Sequence, residues 1–391
     1  LQIVDCKSEI SNLKSEISNL NSKMPDISLL SLVLTLRPLH PLAEVPHLGR
    51  AAHALLLDAV RWADVELAER LHAGSEMRPF TASDVIGVTR KVGLLPERTY
   101  PLRLTALTAP VAGALLKTLT PSPSPVANGS DRRGERPPSG SPRQMESDLT
   151  GGEAAAPSPV ENGGGSGWGL PLSPGSTIEL GPARFRIEAI DFGSPMSNGE
   201  LSQDPKSEIV NPKSEISNLK SQIHHPWAMS TTYEELSAPW LLGRETPARF
   251  IWMQFVSPTT FKVEGRHLPL PLPEQVFGSL LEKWNAFAPV AFPPETRRYA
   301  KECLALSSYE LRSRGVMLKE GGLRMGAVGR ARYVTTNFDR YWMSLINLLA
   351  DFAIFAGAGA GTGMGLGQCR RISDLGLRTV VPAAQQSKSV D

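Results

Sequence analysis

Apolar residues recur along this chain with two distinct periods. From Leu48 onward, Ala52, Leu55, Leu56, Ala59, Val60, Ala63, Leu67 and Leu71 fall on one helical stripe, with Asp58, Arg61, Asp64 and Arg70 mostly off it. This spacing predicts one helix that ends near His72-Ala-Gly74. Ser28–Leu36 before it is a short apolar run of the kind that forms a buried strand. Phe80–Thr89 and Tyr100–Leu107 read as two strands and Ala109–Leu119 as a short helix. Ser176–Leu180 and Ala183–Ile190 read as strands joined at Gly181-Pro182. The order then repeats: a strand at Arg249–Val256, a helix at Glu274–Phe287, and a strand pair at Ser307–Arg314 and Leu323–Val334. An amphipathic helix at Asp339–Ala356, capped by Asp339 or Asn337, and a closing strand at Gln368–Ile372 complete it.

Two β-α-β-β-α-β units in series predict an α+β chain of tandem ferredoxin-like, RRM-like domains. Two kinds of segment interrupt them. KSEISNL occurs twice in Lys7–Leu20 and returns as KSEIVNP, KSEISNL and KSQIHHP over Lys206–Pro226. Each unit has one or two apolar positions and much Ser and Asn, which opposes a coiled coil, so these read as inserted repeats. Pro121–Gly175 is dense in Pro, Ser, Gly and Glu; it cannot bury enough surface to offset its ordering entropy and is expected to be disordered. The expected organisation is a repeat-like extension at 1–23 and a first ferredoxin-like domain at 24–237, with insertions at 121–175 and 194–224. A second domain follows at 238–375, then a tail at 376–391.

The chain has 391 residues and a formal net charge of +2, so any surface that attracts polyanions must be local. Cys6, Cys303 and Cys369 are isolated, with no CxxC pair or nearby His set, which points to neither zinc nor a disulfide framework. No metal or cofactor is expected. No apolar run approaches a membrane span and the opening residues lack a signal-peptide pattern, so the expected setting is cytoplasmic, away from any membrane.

The candidate chemistry centres on Gly357-Ala-Gly-Ala-Gly-Thr-Gly-Met-Gly-Leu-Gly367, followed by Gln368, Cys369, Arg370 and Arg371. Glycine at every second position suits neither helix nor stable strand. It lets a backbone approach a ligand closely and turn several N–H groups to one side, which makes a candidate phosphate cradle. The loop contains no lysine, which excludes a P-loop, and the third glycine of a dinucleotide fingerprint falls on Thr362, Met364, Leu366 or Gln368. It also leaves a helix and enters a strand, the reverse of a Rossmann loop. A plain flexible linker is the competing reading; Met364, Leu366 and the arginine pair weigh against it.

With these residues in view, the chain resembles the Cas6 family of CRISPR-associated endoribonucleases that process repeat RNA, within the RAMP superfamily. Phe352-Ala-x-Phe-Ala-Gly357, the glycine loop and Gly365-Leu-Gly-Gln-x-Arg370 resemble the family's C-terminal signature. Phe255-Val-Ser-Pro-Thr-Thr-Phe-Lys262 with Pro269-Leu-Pro-Leu-Pro273 resembles the opening of its second domain, and His225-Pro-Trp-Ala-x-Ser230 the join between domains. Leu71-His-x-Gly with Pro79-Phe-Thr-x-Ser83 resembles the end of its first helix. The resemblance covers most of residues 27–375 but neither the repeats nor the 121–175 insertion.

It implies a metal-independent cut in CRISPR repeat RNA, made by the 2′-hydroxyl and leaving a 2′,3′-cyclic phosphate. Histidine suits the proton transfers, since both its forms are populated near neutral pH. The family motif places a catalytic histidine at His72, with His47 and His53 as alternatives; a surface histidine near the last helical carbonyls is the bland reading of His72. No lysine near His72 in sequence offers itself as a partner. Candidate RNA-binding residues are Gly357, Gly359, Gly361, Thr362, Gly363, Gly365, Gly367, Gln368, Arg370, Arg371 and Lys262. Arg312, Arg314, Arg324, Arg330 and Arg332, with Lys319, join them on a hairpin around Gly321-Gly322 whose charges can equally be an ordinary solvated face. Tyr333, Phe261 and Trp227 are candidate base-stacking residues, with core packing as the alternative. The implied partners are precursor and mature CRISPR RNA and, for a monomer or homodimer, other effector-complex subunits. A non-catalytic RNA-binding subunit of such a complex is the rival function, and a copy disabled by its insertions a third.

Overall fold

The computed structural model describes residues 27–73, 77–88, 92–119, 172–193, 225–317 and 322–372. The expectations for 1–23, the repeat insertion and the tail, and for the low-complexity insertion up to residue 171, lie outside the described residues. Residues 172–175, assigned to that insertion, belong to the fold: Leu172 is buried and the Gly175 amide donates to the Ile187 carbonyl at 2.7 Å.

The first half is built on β1 (Leu29–Pro38), whose Leu29, Leu30, Leu32, Leu34 and Leu36 are fully buried. α1 (Gly49–Ala63) and α2 (Val65–Ala73) follow. The single helix expected here is broken at Asp64, which is extended (φ −160°, ψ 101°). Its carboxylate accepts the Leu67 amide at 2.9 Å, so one residue ends the first helix and caps the second. The expected strand at 80–89 is reduced to β2 (Phe80–Ala82), because a turn intervenes at Ile86-Gly87. β3 (Tyr100–Ala106), α3 (Ala109–Lys117), and the hairpin of β4 (Thr177–Leu180) and β5 (Ala183–Asp191) fall close to their expected places. The sheet order is β2-β3-β1-β5-β4, antiparallel, and β6 (Met229–Thr231) pairs with Leu29–Ser31 where β5 leaves the edge of β1.

α4 (Tyr233–Leu241), held by a Thr232/Glu235 capping box, leads to the second half. There β7 (Phe250–Thr259) is followed by a small hairpin, β8 (Phe261–Val263) and β9 (Arg266–Leu268), and by α5 (Pro273–Phe287) and α6 (Glu295–Cys303). A long hairpin, β10 (Leu304–Met317) and β11 (Leu323–Thr335), precedes α7 (Arg340–Ala356) and the closing β12 (Cys369–Ile372). The order β10-β11-β7-β12 repeats the β2-β3-β1-β5 order of the first half, so both halves are ferredoxin-like. Among the described residues no helix is long and apolar enough to cross a membrane.

The halves meet at the end of α7. Asp339 caps its start through the Trp342 amide, and Gly357, at φ 60°, ends it. The last carbonyls of a helix have no partner within it, and here the rest of the fold supplies donors. The Ile354 carbonyl accepts from the Arg103 guanidinium of β3 and the Phe355 carbonyl from Thr105 Oγ1 at 2.8 Å. Those of Ala356 and Gly357 accept from Lys283 Nζ at 2.8 and 3.0 Å, and the same ammonium reaches Thr362 Oγ1 at 3.1 Å. Burial brings Arg103 down to about 9 and Lys283 down to about 8. Both cations face the negative end of the helix dipole, where a positive charge is favoured.

Lys283→Met keeps the stem and removes the ammonium, leaving two buried carbonyls unpaired. The expected loss is roughly 2 kcal/mol, read as a lower urea midpoint at unchanged slope. An unaltered midpoint would show that Lys283 does not hold this junction.

Candidate functional site

A cleft of about 850 Å³ opens between α1, α2 and the start of β2 on one side and α5, Phe261 and the glycine loop on the other. His72, in the last turn of α2 and exposed, lines it together with His53, Arg50 and Arg78 from the first half. Lys262 and the stretch from Gly359 to Met364 line the opposite wall. The sequence-predicted histidine and the accessible part of the loop therefore share one groove.

The three candidate histidines have different surroundings. His47 is clamped at both ring nitrogens: Nδ1 lies 2.8 Å from Asp84 Oδ2 and Nε2 lies 2.7 Å from the Met364 carbonyl. Both partners accept, so the clamp favours the ring that donates from both nitrogens, the imidazolium. Burial pushes its pKa down, but the hydrogen bond and charge of Asp84 and the Met364 carbonyl outweigh that, and the net shift is upward. His53 is the reverse case. Nδ1 donates to the Gly363 carbonyl at 2.8 Å and Nε2 accepts from Arg78 Nη1 at 3.2 Å, which fixes a neutral ring. Burial, with the charges of Arg78, His72 and Arg50, lowers its pKa against the Gly363 hydrogen bond. His72 has its ring open to the cleft.

The glycine loop is mostly an internal element. Gly357, Gly359, Gly361, Gly365 and Gly367 all have positive φ. A Cβ on Gly359 would lie 2.3 Å from the Thr260 carbonyl oxygen, and one on Gly367 2.1 Å from that of Ala358, so close backbone packing requires glycine at these positions, whereas Gly363 meets only ordinary contacts. The amides of Ala358, Ala360, Gly365 and Gly367 donate to the carbonyls of Gly367, Thr260, Ala82 and Pro258, and that of Gly359 to Ser279 Oγ. Gly357, Gly365, Gly367 and Gln368 are buried. Of the backbone expected to form a cradle across all six glycines, the amides of Gly361, Thr362 and Gly363 have no acceptor among the described residues.

The structure does not bring the expected arginines to this cleft. Arg371 Nη1 pairs with Asp351 at 3.1 Å, and Arg370 donates to the Pro226 carbonyl at 2.6 Å and stacks on Trp227. These internal contacts engage both side chains, and neither lines the cleft beside the loop. Cross-strand register puts Arg312, Arg314, Arg324, Arg330 and Arg332 on one face of the long hairpin; Arg330 pairs with Glu310 at 2.8 Å and Arg332 stacks on Phe250. Lys319 lies outside the described residues. Tyr333, Phe261 and Trp227 are core residues, as their alternative reading had it. The sequence reading missed Arg50, Arg78 and Lys283. Lys283 left a signal, occupying a helical position among Val276, Leu280 and Trp284 where an apolar residue is expected.

Because the folded pKa of His47 lies above its ordinary value of about 6.5, its clamp adds stability that is complete below that pH and fades as pH rises through the raised value. Thermal unfolding across about pH 6 to 8 should show the wild type losing midpoint relative to His47→Gln. Parallel profiles would contradict the clamp.

Comparison with known families matches residues 28–97 to the CRISPR Cas6 N-terminal domain and residues 253–369 to CRISPR-associated endoribonuclease Cas6. Among solved structures, one Cas6 product complex aligns at TM-score 0.54 and 21 % identity, over 88 % of this chain and 99 % of that one. A second Cas6 product complex aligns at 0.54 and 22 %, over 88 % and 100 %. Thermus thermophilus Cas6 aligns at 0.52 and 19 %, over 88 % and 99 %. At these identities the likeness establishes the fold. A comparison with curated proteins finds no match. The two domain matches follow one another in chain order, one on each ferredoxin-like half, and support a Cas6-type chain.

Proposed function

We propose that the protein cuts CRISPR repeat RNA in precursor transcripts without a metal ion, with the cleft between the two halves as its active site and His72 as a proton-transfer group. The observation that carries this reading is the shared groove: an exposed histidine at a helix end lines the same cationic cleft as Gly361, Thr362 and Gly363, whose amides have no acceptor among the described residues. The solved Cas6 structures include product and substrate-mimic complexes, which supports an RNA strand as the occupant here.

In the proposed step the ribose 2′-oxygen bonds to the adjacent phosphorus as its proton leaves to a base. The bond from phosphorus to the 5′-oxygen breaks, and that oxygen takes up a proton. The products are a 2′,3′-cyclic phosphate and a 5′-hydroxyl, with no net consumption of water or redox equivalents. His72 is the group placed to give or take one of these protons. Arg50 and Lys262 add positive charge along the strand's path, which raises affinity and makes it salt-dependent without reading sequence.

Purified protein with repeat RNA in EDTA should give one discrete cut ending in a cyclic phosphate. His72→Ala should slow it about 10²- to 10⁴-fold with RNA binding retained. A cut that needs added divalent metal, or one indifferent to His72→Ala, would overturn the assignment. Binding without cutting would favour the non-catalytic subunit.

A further inference from the structure

The neutral state of His53 has a consequence for the neighbouring arginine. With its Nδ1–H held by the Gly363 carbonyl at 2.8 Å, His53 presents a bare Nε2, and Arg78 Nη1 docks on it at 3.2 Å. The same Nη1 reaches the carbonyl of Leu71, the residue before His72, at 3.3 Å. The guanidinium also lies over the Phe80 ring, 5.9 Å from its centroid. Three contacts from α1, α2 and β2 thus fix one long cationic side chain beside the helix end that carries His72. They use one of its nitrogens; Nε and Nη2 carry no hydrogen bond among the described residues.

On the reading of this cleft as the site of RNA cleavage, we infer that Arg78 contacts the scissile phosphate and that His53 is a positioning residue that aims it. Two free nitrogens on a planar guanidinium suit two oxygens of one phosphate. Charge grows on those oxygens as the fifth bond to phosphorus forms, so a cation already oriented there stabilises the transition state more than the bound substrate. A protonated His53 would have no lone pair for Arg78 and would add a third positive charge beside Arg50 and Arg78. The Gly363 carbonyl sets the tautomer by holding the one proton on the far nitrogen, and burial with the docked Arg78 charge opposes a second. Because Gly363 belongs to the loop itself, the loop acts on the reaction through His53 as well as through its own amides.

The test is single-turnover cleavage at saturating protein for the wild type, Arg78→Ala, His53→Ala, the double variant and His53→Gln. Salt-dependent binding of uncleavable 2′-deoxy repeat RNA is measured alongside. Arg78→Ala should slow cleavage by about 100-fold and lower the salt slope by about 0.7, one phosphate on a single strand. His53→Ala should slow cleavage while keeping both limbs of the pH–rate profile. The double variant should be no slower than Arg78→Ala, since His53 acts through Arg78. His53→Gln, whose amide oxygen can accept from Arg78, should recover much of the rate. Multiplicative losses in the double variant, or a lost pH limb in His53→Ala, would overturn the positioning role. An unchanged rate and salt slope in Arg78→Ala would remove the phosphate contact while leaving the enzyme reading intact. A wild type that binds without cutting, yet loses salt slope in Arg78→Ala, would do the opposite.

Discussion

The final turn of α7 is where the two halves are held together, and its open carbonyls set the terms. A buried helix end with unpaired acceptors is costly, each such group worth about 1–3 kcal/mol. The chain answers with Arg103 and Thr105 from the first sheet and Lys283 from α5, so that the carbonyls from Ile354 to Gly357 all find donors. Two buried cations are themselves expensive, and their lowered pKa values record that expense. They persist because each faces a helix C-terminus and several oxygens at once. A rigid junction at this point fixes where the following eleven-residue glycine stretch begins.

From that anchor the loop runs as a wedge between the halves. Its amides reach Ala82 at the end of β2 and Pro258 and Thr260 at the end of β7, while its carbonyls at Gly363 and Met364 hold His53 and His47. Its interior role explains the glycines at Gly357, Gly359 and Gly367 better than ligand binding does, since their close backbone contacts are with the protein itself. What remains open to a ligand is the short turn at Gly361–Gly363. Catalytic geometry would then be inherited from the junction: the helix end places the loop, the loop places His53, and His53 places Arg78 beside His72.

Periodic apolar spacing carried most of the fold, because strands such as β1 and helices such as α7 bury nearly every apolar side chain they own. It failed where burial is sparse. α6 is mostly charged, with only Thr296, Tyr299 and Ala300 inside, and α4 buries just Tyr233 and Leu236. The break at Asp64 left the stripe intact on both sides and so was invisible to spacing. His72 could be picked out by its resemblance to a family motif, but its surroundings could not. Arg78 docks on His53 from 25 residues away, and Arg103 meets Ile354 across 251. The destination of the loop's amides was equally hidden, since their acceptors at Ala82, Pro258 and Thr260 are remote in sequence.

Amide hydrogen exchange of the loop tests the central claim most directly, because it asks each N–H whether it already has a partner. The account predicts slow exchange at Ala358, Ala360, Gly365 and Gly367 in the free protein, unaltered by RNA, with Gly361, Thr362 and Gly363 exchanging quickly until RNA is added. Fast exchange along the whole loop, quenched throughout by RNA, would contradict it.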